Sequence, residues 1–254
     1  MASPGPSLTI PARFNGPPDS GNGGYVAGRV AEALAQALGL PSRGPDAPWV
    51  EVTLRTPPPL DVELSSTVEG DPPGMIVSAA EVTVAEARLL VAPPDAVQPV
   101  APVPVEQARA AESRYGGLQA HPFPTCWVCG PQRATGDGYH LRPGHVDEDR
   151  TACTWTVAES AADPDRAVPA AAVWAALDCP GAWTALIDGR PIVLGRMAAH
   201  VLDVPVVGEQ CLVMGQRLAG EGRKTFTLTS VYGQDGRDLG HAAATWIALA
   251  VTPG

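Results

Sequence analysis

Gly23 and Gly24 are the first residues whose types and spacing suggest chemistry on a carbonyl group. They end a turn-rich stretch, residues 15–24, and come directly before a helical pattern. The start of a helix leaves backbone N–H groups unpaired at the positive end of the helix dipole. Because glycine has no side chain, a carbonyl can approach these groups closely and develop negative charge there. The alternative is a loop that only needs glycine for positive φ values.

Asp178 is the second such residue, because it lies within the apolar segment 174–181. A buried carboxylate is costly unless it is paired, close to the surface or functional. With a pKa raised by burial, it can act as a base toward water or as a nucleophile. The alternative is a helix-terminal residue that caps the turn at Pro180.

Asn22 and Glu32 extend this pattern. Asn22 precedes the two glycines and can orient a water molecule or a carbonyl, or simply cap the helix. Glu32 follows Asn22 by the same spacing with which Asp178 follows Val168, so it is either a second acid or an exposed residue. The second helix lacks the Asn-Gly-Gly start, and only the pairing of Gly24 with Asp178 would form a complete site.

The chain has five cysteines, of which Cys126 and Cys129 have the C-x-x-C spacing of metal ligands. Zinc takes four ligands, and no second pair is present, so His121 and His140 would have to complete the site. We therefore expect packing cysteines, no metal and no cofactor. The other three lie in apolar runs and are predicted to be core residues, with Cys179 alone near the carboxylate: Cys153, Cys179 and Cys211.

The strands and helices that would position these residues follow a similar order in the two halves of the chain. The first half predicts a short strand, a helix that ends at Gly39, and four strands: 8–14, 49–56, 60–68, 75–84 and 88–92. The second half predicts two strands, a helix over 170–186 that Pro180 bends or breaks, and four more strands: 139–146, 151–157, 192–201, 209–218, 224–232 and 238–251. Each half is therefore expected to be an antiparallel sheet wrapped on one helix.

A proline-rich stretch, residues 92–105, separates the halves and indicates an extended linker, followed by a short helix over 106–115. We therefore expect an N-terminal domain over residues 1–100, a linker with its helix over 101–120, and a C-terminal domain over 121–254. Sequence identity between the two halves is weak, so the repeat is one of structure.

Several of these segments resemble a known family. The second half resembles the sheet of hotdog-fold thioesterases in five segments, 195–197, 204–208, 222–224, 235–236 and 241–246, and its lead-in is similar at 126–130 and 138–142. In the first half, residues 21–28 resemble the Gly-Gly start of the central hotdog helix. The resemblance implies an α+β double hotdog: two antiparallel sheets, each wrapped on a central helix, produced by tandem duplication.

The resemblance also implies an acyl-CoA thioesterase, a hydrolase whose substrate lies between the halves. Asp178 would be the base or nucleophile, and Asn22 and Gly24 would polarise the thioester carbonyl. Substrate contacts are expected from five further residues: Gly23, Tyr25, Arg196, Arg223 and Lys224. The last three would bind CoA phosphates, although solvated hairpin charges are an equal alternative.

Two other functions stay open at this point. A hotdog protein can bind acyl-CoA or another apolar ligand without turnover. A hotdog hydratase is disfavoured, because its D-x-x-x-x-H pattern fails where Asp19 is followed five residues later by Gly24. A serine hydrolase of the α/β type is excluded, since no G-x-S-x-G motif is present.

The composition of the chain disfavours several classes of binding partner and cellular location. A formal net charge of −10 disfavours a nucleic-acid partner, and no polybasic segment would hold an anionic membrane surface. No apolar run approaches the ~20 residues of a membrane span, and the first ten residues do not look like a signal peptide. We expect a cytoplasmic protein with reduced thiols, and the resemblance is compatible with a homo-oligomer.

Overall fold

The computed structural model describes residues 2–94, 97–163, 165–185 and 190–250, and its main feature is a twelve-stranded antiparallel sheet. The first half of the chain contributes β1 (Ser3–Pro4), β2 (Leu8–Thr9), β3 (Trp49–Leu54), β4 (Glu63–Glu69), β5 (Gly74–Ala79) and β6 (Val82–Leu90). The second half contributes β7 (Gly144–His145), β8 (Arg150–Thr156), β9 (Ile192–Val201), β10 (Gln210–Glu221), β11 (Lys224–Tyr232) and β12 (Asp238–Ala248).

The halves join through one strand pair. The order is β1-β4-β5-β6-β3-β9-β12-β11-β10-β8-β7, with β2 beside β4. Strand β3 pairs with β9, so that Val50 lies opposite Ala199 and Val52 opposite Met197. The predicted two antiparallel sheets are therefore one continuous twelve-stranded sheet in the structure. The physical reason is that β3 and β9 would each expose a row of unpaired N–H and C=O groups if they did not pair with each other.

In the described ranges, four α-helices accompany the sheet: α1 (Gly23–Leu38), α2 (Val105–Glu112), α3 (Ala170–Ala176) and α4 (Cys179–Ala185). Helix α1 packs on β3, β5, β6 and β9, and α4 packs on β8, β10 and β11. The predicted stop of α1 is confirmed, since Gly39 has the left-handed φ of 66° that closes many helices. Among the described residues, no helix has the length and apolar character to cross a membrane.

The predicted break in the second helix is also confirmed. Helix α3 ends at Ala176, and α4 begins at Cys179, directly before Pro180. Proline has no N–H to continue the hydrogen bonding of a helix. Asp178 therefore lies at a junction between two short helices. The predicted last residues of this helix and of the last strand, Leu186 and Val251, lie outside the described residues.

Three predicted strand boundaries are wrong. Strands β5 and β6 meet in a turn at Ala80–Glu81, where Ala80 has a φ of 51°, and neither glycine nor proline marks it. The first predicted strand shortens to β2, because a 3₁₀ turn over Ala12–Phe14 follows it. Of the strand predicted over 139–146, only β7 forms. In each case tertiary contacts prevail over local alternation of apolar residues.

Helices α1 and α3 touch almost backbone to backbone. A Cβ atom on Gly28 would lie 2.6 Å from the Cα of Ala171 and 2.7 Å from the Cβ of Trp174. One turn earlier, a Cβ on Gly24 would lie 2.6 Å from the carbonyl oxygen of Trp174. The interface therefore requires glycine at both positions, and it holds the two helices in a fixed register.

We predict that Gly28→Ala destabilises the protein by about 1–3 kcal/mol, because overpacking exceeds the ~1 kcal/mol that alanine gains in a helix. Gly220→Ala is the matched control, since a Cβ there would have no neighbour closer than 3.6 Å. Thermal and urea unfolding of both variants would measure the difference. Equal or greater stability of Gly28→Ala would contradict the close contact.

Candidate active site

The three residues predicted to be catalytic meet at the start of α1. Asp178 is buried, and its Oδ2 accepts a hydrogen bond of 2.7 Å from Nδ2 of Asn22, across 156 residues of sequence. A Cβ on Gly24 would lie 2.5 Å from the Cβ of Asp178. The α1–α3 contact thus places a carboxylate from the second half against the helix start of the first half.

Asn22 caps the helix, which is one of the two roles that the sequence allowed, and its side chain also bonds to Asp178. Oδ1 of Asn22 accepts the N–H of Tyr25 at 2.9 Å and so caps α1. Its Nδ2 then faces Asp178, and exchanging the amide oxygen and nitrogen would disrupt both bonds. Asn22 therefore fixes the position of the carboxylate relative to the helix.

The helix start retains backbone donors. Asn22 accepts the N–H groups of Tyr25 and Val26, which leaves those of Gly23 and Gly24 without a partner inside the helix. The N–H of Gly24 faces the Asp178 carboxyl. Gly23 lies against Leu194, where a Cβ would come within 2.7 Å of the leucine Cβ. The missing side chains are what allow close approach at both positions.

Burial dominates the electrostatics of Asp178 and raises its pKa to about 7. The N–H of Gly24 opposes this shift, the sulfur of Cys126 adds to it, and the amide of Asn22 opposes it. Within the described part of the chain, Oδ1 of Asp178 is buried and has no hydrogen-bond partner. The Gly24 N–H lies close enough to lower the pKa of the carboxyl, but it does not complete a hydrogen bond to this oxygen. One carboxyl oxygen is therefore held in place and the other is available.

Asp178, Asn22 and Gly23 line a cavity of about 570 Å³. This size is typical of small-molecule sites, which are mainly apolar with a few polar groups. The apolar part of its wall includes Phe123, Trp183, Leu194, Trp246 and Ile247. The geometry thus combines an apolar chamber with a carboxylate and with the N–H groups of a helix start.

Two arginines add positive charge to the cavity wall. Arg223 was among the predicted substrate-binding residues, and it lies in the two-residue turn between β10 and β11. Arg55, which the sequence analysis missed, follows β3 and forms an ion pair with Glu86. No local pattern distinguishes Arg55 from an ordinary surface arginine.

Gly24, which was predicted to be catalytic, packs against Asp178 and Trp174 and is not on the described cavity wall, and neither are the other predicted substrate contacts. Tyr25 is buried in an aromatic stack, with its ring centroid 4.0 Å from that of Phe14. Arg196 is exposed and donates to Oγ1 of Thr53 at 2.9 Å. Lys224 is exposed at the first position of β11.

Glu32 occupies the reciprocal position at the start of α3. Its Oε1 accepts the N–H of Ala171 at 2.8 Å, so the first half caps the second-half helix in return. The cavity beside it, which Trp174 also lines, is only about 10 Å³, room for a single water molecule at most. We call the contact of Asp178 with Gly24 the open seam and that of Glu32 with Ala171 the closed seam. Only the open seam has room for a ligand.

Comparison with known proteins identifies the fold. A candidate thioesterase from Novosphingobium aromaticivorans is 14% identical with a TM-score of 0.69, covering 96% of this chain and 95% of its own. A hotdog-fold protein of unknown function from Alicyclobacillus acidocaldarius is 15% identical with a TM-score of 0.63, covering 99% and 97%. The acyl-CoA thioesterase II of Mycobacterium marinum is 11% identical with a TM-score of 0.58, covering 92% of each chain.

These likenesses establish that the chain has the fold of hotdog proteins, over nearly its whole length. At such identities they establish the fold and not the reaction. No family model and no curated protein matches the sequence. The reaction must therefore be argued from the site itself.

We predict that Asn22→Ala destabilises the protein by about 1–4 kcal/mol, because it removes a helix cap and leaves a buried carboxyl oxygen without its donor. Asn22→Ser keeps a capping oxygen, but the serine side chain is too short to reach Asp178. We therefore expect it to lose less stability than Asn22→Ala. The free energies of unfolding of the two variants in urea separate the contribution of the helix cap from that of the bond to Asp178. If both variants match the wild type, the Asn22–Asp178 bond does not stabilise the site.

Proposed function

We propose that the protein hydrolyses acyl-CoA thioesters at the open seam. The observation that carries this proposal is a carboxylate, Asp178, that lines a cavity with apolar walls together with Gly23, the first residue of α1. A thioester carbonyl needs hydrogen-bond donors where negative charge develops, and a base or nucleophile within reach. In this proposal the donor belongs to the start of α1 in the first half of the chain, and the base or nucleophile, Asp178, belongs to the second half.

The proposed reaction proceeds by addition to the carbonyl carbon. In one route Asp178 takes a proton from water, whose oxygen bonds to the carbonyl carbon while the N–H of Gly23, which lines the cavity, stabilises the oxyanion. Collapse of this intermediate breaks the carbon–sulfur bond, and the departing thiolate receives the proton. In the second route the Asp178 carboxylate attacks first, and water then hydrolyses the resulting anhydride. Both routes yield a carboxylic acid and free CoA.

The walls of the cavity support this substrate class. Trp183, Leu194 and Ile247 offer an apolar surface to an acyl chain. Arg55 and Arg223 are the cationic side chains on the described wall that suit CoA phosphates. In this proposal the chain consists of two hotdog units, residues 1–100 and 121–254, each wrapped on its own helix and joined edge to edge by β3 and β9.

Two alternatives are less well supported. A protein that only binds acyl-CoA has no need for a carboxylate in its cavity, and that reading is favoured by an Asp178 that is salt-bridged or turned away. Among the described residues, Asp178 has no cationic partner and lines the cavity. A hydratase is also disfavoured, because Gly24 stands where that pattern has histidine.

The first test compares Asp178→Asn with Glu32→Gln on a panel of short, long and aromatic acyl-CoAs. We expect Asp178→Asn to lower kcat/KM by about 100-fold or more, as loss of a general base or nucleophile does. Glu32→Gln alters the reciprocal carboxylate of the closed seam and should keep wild-type activity. Thiol release measures turnover, and thermal unfolding checks that both variants fold. Activity that survives in Asp178→Asn refutes this site, and absence of turnover in the wild type refutes the hydrolase.

Single-turnover reactions in ¹⁸O-labelled water distinguish the two routes. If Asp178 acts as a base, the acid product carries the label after one turnover. Label in the peptide that contains Asp178 requires direct attack, with water adding to the Asp178 carboxyl carbon of the anhydride, so that the acid product leaves with an unlabelled carboxylate oxygen. Water that adds to the acyl carbon instead labels the acid, and trapping of the anhydride with hydroxylamine then separates this case from the base route. Mass spectrometry of the acid and of the digested protein gives the answer.

A further inference from the structure

Three buried cysteines converge beside the open seam. The sulfur atoms of Cys126, Cys129 and Cys179 all lie within 4.8 Å of one another. The Sγ atoms of Cys126 and Cys179 are 4.0 Å apart. A tetrahedral zinc ion with Zn–S bonds of about 2.3 Å places its sulfur ligands about 3.8 Å apart. The separation thus fits an ion between the sulfurs, whereas a disulfide needs an S–S bond of about 2.05 Å.

The loop that carries the first two cysteines has the backbone geometry of a metal-binding turn. The N–H of Gly130 donates to the Cys126 carbonyl oxygen at 2.8 Å, which closes a tight turn around Cys126 and Cys129. A Cβ on Gly130 would lie 2.5 Å from the backbone nitrogen of Cys126, so the turn requires glycine.

His121 is the candidate for the fourth ligand, but it lies outside the group of atoms within 4.8 Å of one another, so its ring would have to move toward the other sulfurs to share one ion. Its Nε2 lies 3.3 Å from the sulfur of Cys129, near the ~3.5 Å expected between nitrogen and sulfur ligands of one zinc ion. The N–H of Phe123 faces Nδ1 at 2.9 Å. Coordination through Nε2 needs the ring proton on Nδ1, so this hydrogen bond would be exchanged for the metal–nitrogen bond. The other histidine that the sequence suggested, His140, faces the carbonyl oxygen of Ala134.

We propose that Cys126, Cys129 and Cys179 bind a zinc-class divalent ion, with His121 as the fourth ligand. Four protein ligands make a closed site, which has a structural role and no position for a substrate. This inference does not depend on the proposed hydrolase. It revises the expectation of packing cysteines, which rested on counting ligands along the sequence and did not place Cys179 with the pair.

The position of the site gives the ion a specific role. Cys126 and Cys129 belong to the loop after the linker, and Cys179 is the first residue of α4. All three cysteines and His121 also line the wall of the large cavity. The ion would therefore fasten this loop to the helix junction that carries Asp178, and it would fix one side of the open seam.

The primary test is the metal content of full-length protein purified under reducing conditions without chelator. We expect about one zinc per chain by elemental analysis, and loss of that zinc in Cys126→Ser and Cys179→Ser. Cys153→Ser is the matched control, because Cys153 is equally buried outside the cluster and should leave zinc unchanged. Wild-type protein that contains no zinc and does not take it up after reduction would overturn the proposal.

Cobalt substitution tests the ligand set even if a serine variant does not fold. Wild-type protein loaded with Co²⁺ should show thiolate-to-metal charge transfer in the near ultraviolet and the intense visible bands of a tetrahedral site. Cobalt that binds without charge transfer would overturn thiolate ligation. For His121→Ala we expect an affinity loss larger than the ~10–100-fold typical of outer-shell partners, with the charge transfer retained. Unchanged affinity and visible spectrum would overturn the assignment of His121.

Discussion

The contact between α1 and α3 is the interaction on which the site depends. Two glycines on one face of α1, Gly24 and Gly28, let the helices approach until backbone meets backbone. Any larger side chain would move the second helix outward and take Asp178 with it. The buried position of that carboxylate, its hydrogen bond to Asn22 and its raised pKa all follow from this one approach.

Local features of this site could be predicted from the sequence because their causes are local. Glycines before an amphipathic pattern indicate a helix start with free N–H groups, and Gly39 closes the same helix. A carboxylate in an apolar segment beside Pro180 indicates a functional residue at a helix break. Asn22, Gly24 and Asp178 were therefore recognisable by type, although only the folded chain brings them together.

Features that depend on long-range pairing could not be predicted. Strands β3 and β9 come from different halves of the chain, and the sequence of neither strand indicates that it pairs with the other. The face of the sheet on which a strand residue lies could not be predicted from the sequence either. Across from Gly195 a bulge shifts the register, since Thr245 pairs with Arg196 but Trp246 pairs with Leu194. Small shifts of this kind decide which side chains line the cavity, and residue type does not reveal them.

The closed seam at Glu32 and Ala171 has a consequence for how this chain tolerates change. A carboxylate that caps a helix needs only an oxygen at the right distance, whereas the open seam must also preserve a chamber. The geometric demands on the two seams are therefore unequal: the closed seam needs tight packing around Glu32, and the open seam needs empty space beside Asp178. The weak sequence identity between the halves is compatible with this difference.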